Sequence, residues 1–343
     1  VTTLEKNVVT KPVLLDVQHL SKSFVRSRDV LGRPRETVRA VRDISVGIRA
    51  GETLGIVGES GSGKSTLGRS ILRLENPEEG SVLYQGKDLL ALGRRELRRT
   101  RRDLQMIFQD PYASLDPTKT VGNAISEPLR IYDRASRADH DDQVAELLTK
   151  VGLRTEFAMR YPGEMSGGQR QRVAIARALA LDPKVIVADE AVSALDVSTQ
   201  SEVINLLVHL NKEFDLTCLF ISHNLGVVRH ISDRIAVMYL GRIVEIGSAA
   251  EVYDSPRHPY TKALLSAIPV PDPVIQRARS KTILEGDSPD PAHPPTGCAF
   301  ASRCPYAQEV CTRIEPNLER RDNGSVSACH FADSIIREKD SVA

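Results

Sequence analysis

The run Gly58-Glu59-Ser60-Gly61-Ser62-Gly63-Lys64-Ser65 sets three glycines, a lysine and a terminal hydroxyl in eight residues, the composition of a phosphate cradle. Glycines let the backbone wrap until successive N–H groups face phosphate oxygens, and a helix starting near Lys64 adds its positive end. Lys64 would bridge the β- and γ-phosphates, Ser65 would take a magnesium position, and Thr66 belongs to the same nucleotide-binding run. Asp189 and Glu190 follow the apolar run Val185 to Ala188. Two adjacent acids at a buried strand end repel unless a cation or a proton separates them. Asp189 is therefore expected to hold magnesium through water, and Glu190 to orient or deprotonate an attacking water. A third group, Ser166-Gly167-Gly168-Gln169, lies about 20 residues before Asp189. Two glycines behind a serine at a helix start make a second anion seat, with Ser166 as the N-cap.

These groups need strands and helices to hold them. Leu54 to Val57 reads as a short buried strand ending in glycines, and the helix after it carries Leu67, Ile71 and Leu74 on one face. Val13 to Val17 and Val38 to Ile48 read as β segments around an Arg-rich hairpin or loop, Arg26 to Glu36. Residues 137 to 152 and 168 to 181 show helical periodicity. Val185 to Ala188 and Leu219 to Ser222 are strands of the parallel-sheet kind, separated by a helix from about Thr199 to Phe214. The arginines at 94, 95, 98, 99, 101 and 102 read as a solvated helix face, because Glu96 and Asp103 dilute them and no aromatics interleave.

Composition sets the outer bounds. The chain has 343 residues, 41% of them apolar, enough for one large α/β domain and an appendage. Its 46 basic and 45 acidic side chains nearly cancel to a formal +1, so no global field favours nucleic acid. No stretch approaches the roughly 20 apolar residues of a membrane span, and Val1 to Val13 lacks the apolar run of a signal peptide. A cytosolic chain able to dock on a membrane protein is expected. Prolines 269, 271, 273, 289, 291, 294 and 295 mark a linker, and the domain boundary is placed near residue 250.

The motif order is specific. Ser166-Gly-Gly-Gln-Arg-Gln-Arg172 resembles the signature sequence of ATP-binding cassette (ABC) proteins. The resemblance implies further roles: Gln109 as the loop glutamine that touches magnesium and water and senses the transport partner, Ser193 to Asp196 as the loop crossing a dimer interface, His223 as the γ-phosphate histidine, and Phe24 as the aromatic that stacks on adenine. It also implies a RecA-like P-loop core over residues 13–250 with an antiparallel β subdomain and a helical subdomain at about 110–180, followed by a cysteine-containing C-terminal extension over 251–343. Phe108-Gln-Asp-Pro-Tyr-Ala-Ser-Leu-Asp-Pro117 and the tail His258-Pro-Tyr-Thr261 are similar to ATPase subunits of bacterial oligopeptide and dipeptide importers, the second subunit type among them. The partners so implied are a related second ATPase, two permease subunits and, indirectly, an extracytoplasmic peptide-binding protein, at the cytoplasmic face of the membrane. Ala191 stands where the family usually has proline, and Asn224 where it commonly has aspartate.

Two other classes share the phosphate loop. A soluble cassette protein acting on ribosomes or DNA usually has two cassettes or coiled-coil inserts, whereas this chain has one cassette and no sustained heptad. A phosphate-loop kinase lacks the signature. Within the transporter class, metal chelates or other peptides fit the same machinery.

Cys298, Cys304, Cys311 and Cys329 crowd the C-terminal segment, whereas Cys218 stands alone on an apolar strand and reads as packing. Their spacings of five, six and seventeen residues match neither structural zinc pairs nor ferredoxin runs, so spacing leaves the metal open. Four thiols in a segment poor in apolar residues point to a metal or covalent staple, with disulfides disfavoured in the cytosol. Gly297-Cys-Ala-Phe-Ala-Ser-Arg-Cys-Pro305 resembles the tail of peptide-importer ATPases, some of which carry an iron–sulfur cluster. A 4Fe–4S cluster is the expectation that follows, with zinc, and reduced or disulfide-bonded cysteines, as the alternatives.

Overall fold

The computed structural model describes residues 11–29, 33–132, 137–268 and 289–334. Strand alternation builds the first layer. β1 (Val13–Arg28) and β2 (Pro34–Arg49) pair antiparallel and bury Leu15, Val17, Leu20, Ile44 and Ile48. They run into the Arg-rich stretch from both sides, so that stretch is mostly strand, closed by the Asp29 N–H donating to Arg33 O at 2.9 Å. Residues 30–32 of it lie outside the described residues. β3 (Thr53–Val57) leaves for the second sheet, and β4 (Glu79–Tyr84) and β5 (Lys87–Asp88) return, giving the order β2-β1-β4-β5.

Helix α1 (Lys64–Ile71) buries Leu67 and Ile71 completely. Leu74, expected on the same face, lies beyond the helix end and is 45% exposed. Arg73 takes φ 51°, a left-handed value that turns the chain off the helical path before the period reaches Leu74. The arginine segment forms α2 (Arg94–Thr100) with no buried residue, the solvated face its composition implies.

β6 (Leu104–Ile107) leads into a helical block of α3 (Val121–Tyr132), α4 (Arg137–Lys150) and α5 (Gly167–Leu179). The chain then returns through β7 (Val185–Asp189), α6 (Val197–Glu213), β8 (Thr217–Ser222), α7 (Leu225–Ile231), β9 (Arg234–Tyr239) and β10 (Arg242–Ser248). β9, β3, β8, β7 and β6 lie side by side in that order and pair parallel. Period-two alternation divides their side chains between two cores. Val185 and Val187 of β7 face α1 and the small sheet, while Ile186 and Ala188 face α5 and α6.

The chain after residue 250 packs back onto the larger sheet. α8 (Ala249–Asp254), α9 (Pro259–Ser266) and α10 (Glu309–Arg313) precede β11 (Glu319–Arg320) and β12 (Val326–Ser327), and β12 pairs with β10 through Glu245–Ser327 and Ile246–Val326. Tyr239, Tyr260 and Phe300 join β9, α9 and the cysteine segment in one aromatic cluster, with centroids 4.7 to 5.4 Å apart. Pro269, Pro271 and Pro273 of the linker lie outside the described residues. Among those described, no helix is long and apolar enough to cross a membrane.

Candidate active site

All five residues of β3 are buried between β8 and β9, which fixes where the glycine loop begins. A Cβ on Gly58 would lie 2.1 Å from Met238 O, and one on Gly63, at φ 99°, 1.9 Å from Ala40 O. Only glycine admits so close an approach, and the loop is thereby pressed onto β9 and β2. Lys64 is buried, and its ammonium donates to Gly58 O and Glu59 O, both at 2.8 Å. Burial lowers its pKa below the usual lysine value, against the opposing pull of Glu190, Asp189 and Glu59. Ser62 is held by accepting the Gly241 N–H on its carbonyl at 2.9 Å, whereas Ser60 and Gly61 at the loop tip are exposed.

The other expected groups come from the carboxyl ends of neighbouring parallel strands, the edge where open α/β sheets bind ligands. Asp189 ends β7 fully buried and accepts the Ser65 hydroxyl at 2.6 Å. Burial raises its carboxyl pKa, and Ser65 and Arg69 pull it down. Glu190 takes φ 45°, a left-handed value a non-glycine residue rarely holds, and its N–H donates to Ile221 O at 2.9 Å. That turn aims its carboxylate at two partners. Gln109, two residues past β6, donates from Nε2 to Glu190 Oε2 at 2.7 Å, and His223, one residue past β8, brings Nδ1 within 3.4 Å of Glu190 Oε1. Ser65, Asp189 and Gln109 offer hard oxygens of the kind magnesium takes, and Ser65 and Asp189 already touch.

The signature forms a separate seat. Ser166 caps α5 in a reciprocal capping box: its hydroxyl accepts the Gln169 N–H at 3.3 Å, and Gln169 Oε1 accepts the Ser166 N–H at 3.0 Å. Gly167 and Gly168 open the helix, and a Cβ on Gly168 would meet Thr199 Cγ2 at 2.2 Å, so the signature helix is packed against the start of α6. Asp196 caps α6, accepting from Thr199 N–H at 3.0 Å and from the Ser198 and Thr199 hydroxyls, which hold its carboxyl far below the usual range. Phe24 stands on β1 opposite Val38, 40% exposed, with the Lys22 ammonium 5.0 Å from its ring centroid.

Cys298, Cys304, Cys311 and Cys329 line one small apolar recess together with Phe300 and Tyr306. All four are free thiols, and burial pushes Cys298, Cys304 and Cys329 each up to about 11. Four free thiols around one recess are the donor set of an iron–sulfur centre and of zinc alike. Cys218 lies buried in β8 with its thiol pushed up to about 12, an inert packing residue.

Residues 41–193 match the family model described as ABC transporter, and residues 244–311 match that of the oligopeptide/dipeptide transporter C-terminal region. The oligopeptide transport ATP-binding protein OppF of Haemophilus influenzae is 50% identical over 323 residues, covering 93% of this chain and 97% of that protein. The chain belongs to the ATP-binding subunits of the oligopeptide/dipeptide ABC transporter family. OppF of Salmonella typhimurium, at 49% identity, covers 92% of this chain and 96% of its own length. The di/tripeptide transport ATP-binding protein DppF of Pseudomonas aeruginosa, at 46%, covers 94% and 99%. The dimeric ABC cassette MJ0796, solved in a post-hydrolysis state with ADP and Pi, superposes with TM-score 0.62 at 32% identity over 68% of this chain and 98% of its own. An α/β P-loop ATPase fold is thus shared with solved cassettes.

Two further contacts reach these residues. Arg69, on α1, reaches Asp189 Oδ2 at 3.5 Å, and Arg303 pairs with Glu59 from the cysteine segment. Arg69 lies five residues after Lys64 on a helix whose register was already fixed, so its side was legible; Arg303 carried no such signal. The family departure at Asn224 costs no cap: its Oδ1 accepts the Gly226 and Val227 N–H groups at 3.0 and 3.4 Å, as an aspartate would. Ala191 lies buried directly after the strained Glu190.

Proposed function

We propose that the chain powers uptake of di- and oligopeptides by hydrolysing ATP at this strand edge, as one of two related ATPase subunits beneath two membrane permeases. The observation that carries hydrolysis is the convergence of Gln109 and His223 on Glu190 beside the Ser65–Asp189 pair. In this reading Gly58 to Thr66 wrap the phosphates, Lys64 bridges β and γ, and Phe24 stacks on adenine. Ser65, Asp189 and Gln109 hold magnesium, which when bound with ATP offsets charge on the phosphate oxygens. Glu190 takes the proton of the attacking water, oriented by Gln109, while His223 addresses the γ-phosphate.

Ser166 to Gln169 serve the γ-phosphate held by a partner cassette, which is why hydrolysis needs two. The dimeric state of MJ0796 supports the pairing, and the match over residues 244–311 supports peptides as cargo. Gln109 and the segment Asp110 to Leu115 report nucleotide state to the permeases, where the chain attaches at the cytoplasmic face. ATPase activity of the purified chain should be near background alone and rise on adding the partner subunit; concentration-independent turnover by a proven monomer overturns the pairing. Import of a labelled tripeptide by vesicles carrying the reconstituted complex tests the cargo, and a complex that hydrolyses ATP yet moves only another solute refutes peptide uptake.

We further propose that the four thiols hold a 4Fe–4S cluster. That all four line one recess supports it. Such a cluster, bound by four thiolates, supplies a cross-link or a one-electron redox site, and this chain's part is to present the sulfurs from a segment that has little core of its own. Anaerobic purification should yield four irons and four acid-labile sulfides per chain, lost in Cys304→Ser; stoichiometric zinc or no metal rules the cluster out.

A further inference from the structure

Glu59 is the second residue of the phosphate loop, and all three of its polar parts are held. Its N–H donates to the Tyr260 hydroxyl at 2.8 Å, its carbonyl accepts the Lys64 ammonium at 2.8 Å, and its carboxylate takes both Nη1 and Nη2 of Arg303, at 2.9 and 3.1 Å. Tyr260 and Arg303 come from α9 and from the turn Ala301–Arg303, immediately before Cys304. Arg303 is itself oriented by Tyr239 of β9, whose hydroxyl lies 3.4 Å from Nη1. The arginine side chain is 9% exposed and the glutamate 31%, so the pair is largely shielded from screening water.

A carboxylate in a loop built to hold a polyanion is an electrostatic liability unless it is neutralised. A loop whose peptide groups must point inward together also binds more tightly if its conformation is set before ligand arrives. A planar, bidentate arginine does both, since it cancels the charge and fixes the side chain's direction. We propose that Arg303 is a positioning residue of the ATP site, acting through Glu59, so that the C-terminal segment sets the nucleotide affinity of the phosphate loop. Arg303 touches no nucleotide in this scheme. Its effect reaches phosphate only through the loop it steadies and the charge it cancels.

The test is equilibrium binding of trinitrophenyl-ATP with magnesium to the full chain and four variants. Arg303→Gln should weaken binding about tenfold, the loss expected of one charged hydrogen-bonded pair that leaves its partner bare. Arg303→Lys, which keeps the charge and loses the fork, should fall between. Glu59→Gln removes the liability along with the pair and should lose less than Arg303→Gln does. In the Glu59→Gln background, Arg303→Gln should then cost nothing further, because the group it acts through has gone. Amide hydrogen exchange at residues 59–61 should quicken in Arg303→Gln and not at the distant signature helix. Should Arg303→Gln fold poorly, the charge exchange Glu59→Arg with Arg303→Glu keeps the pair in reverse, and recovery of affinity relative to Glu59→Arg alone supports the latch. Unchanged affinity in Arg303→Gln, or the same loss whether residue 59 is glutamate or glutamine, overturns the proposal.

Discussion

Gln109 Nε2 donates to Glu190 Oε2 at 2.7 Å, tying the loop after β6 to the end of β7. One carboxylate oxygen is thus held by the loop that leads into the helical block, while the other lies beside His223. Glu190 is fixed from both neighbouring strands in an orientation its left-handed backbone sets.

Glu190→Gln keeps that shape and cannot accept a proton. Turnover by the paired complex should fall by about 10²- to 10⁴-fold, the range for loss of a positioned general base, while nucleotide affinity stays within about twofold. Single-turnover hydrolysis and equilibrium dialysis on one preparation check the split. Normal turnover in this variant would remove Glu190 from the role of base.

Lys64→Ala should act on binding instead. The ammonium sits buried in the loop mouth between Gly58 and Glu59 carbonyls, so its loss removes both a charge and the tie across the loop. Affinity for ATP should drop by about 10-fold to 100-fold, from charged hydrogen bonds of about 1.5–3 kcal/mol. Titration of a fluorescent nucleotide measures it, and a wild-type isotherm contradicts the assignment.

Asn224→Ala tests whether the substituted family position still caps its helix. Two N–H groups at the start of α7 lose their acceptor, at a cost of about 1 kcal/mol, whereas Asn224→Asp should be neutral within a few tenths. Urea unfolding of the two variants separates the outcomes. Equal stability of all three chains would mean that the cap contributes nothing.

The glycine loop, Asp189–Glu190 and His223 were legible because each follows a short apolar run that can only be a buried parallel strand, and strand ends share one edge. Their mutual contacts were not, since sequence fixes which edge but not how a side chain turns there; the left-handed Glu190 left no trace in residue type. Leu74 misled because helical periodicity has no stop signal where Arg73 breaks it without glycine or proline. The pairing of β12 with β10 was hidden for a simpler reason: two-residue strands are too short to show a period. Composition after residue 250 announces a linker, and only the packing of Tyr260 and Phe300 reveals how closely the flanking segments rejoin the cassette.

Phe300→Ala probes that reattachment. Phe300 is 1% exposed and packs against Tyr239, Tyr260 and His258. Truncation should destabilise the cassette by about 3–5 kcal/mol, the cost of removing a buried aromatic. If the segment beyond residue 250 were a separate unit, thermal unfolding would show two transitions and the cassette's would not move; a single transition shifted to lower temperature is expected.

Glu245, wholly buried on β10, binds the turn into α9 by accepting the Arg257 N–H at 2.6 Å and the His258 N–H at 3.0 Å. Burial pushes its carboxyl up to about 7, although Thr261, both N–H groups and the Arg257 guanidinium pull the other way. A carboxyl raised on folding binds its proton more tightly in the native state, so its contribution is fully present below about pH 4.5 and is lost as pH rises through about 7. His258 works in the opposite sense: burial lowers it to about 3, so its contribution is present above about pH 6.5 and is lost as pH falls toward 3. The two overlap, and the wild-type profile alone would hide both. The difference between wild type and Glu245→Gln isolates the carboxyl, because His258 is common to the two chains. That difference should move in favour of the glutamine variant by up to roughly 3 kcal/mol as pH rises from about 5 to about 8. Denaturant unfolding at intervals across that range measures it. Parallel profiles would mean that Glu245 is ionised throughout, held as a carboxylate by its two N–H donors against the cost of burial.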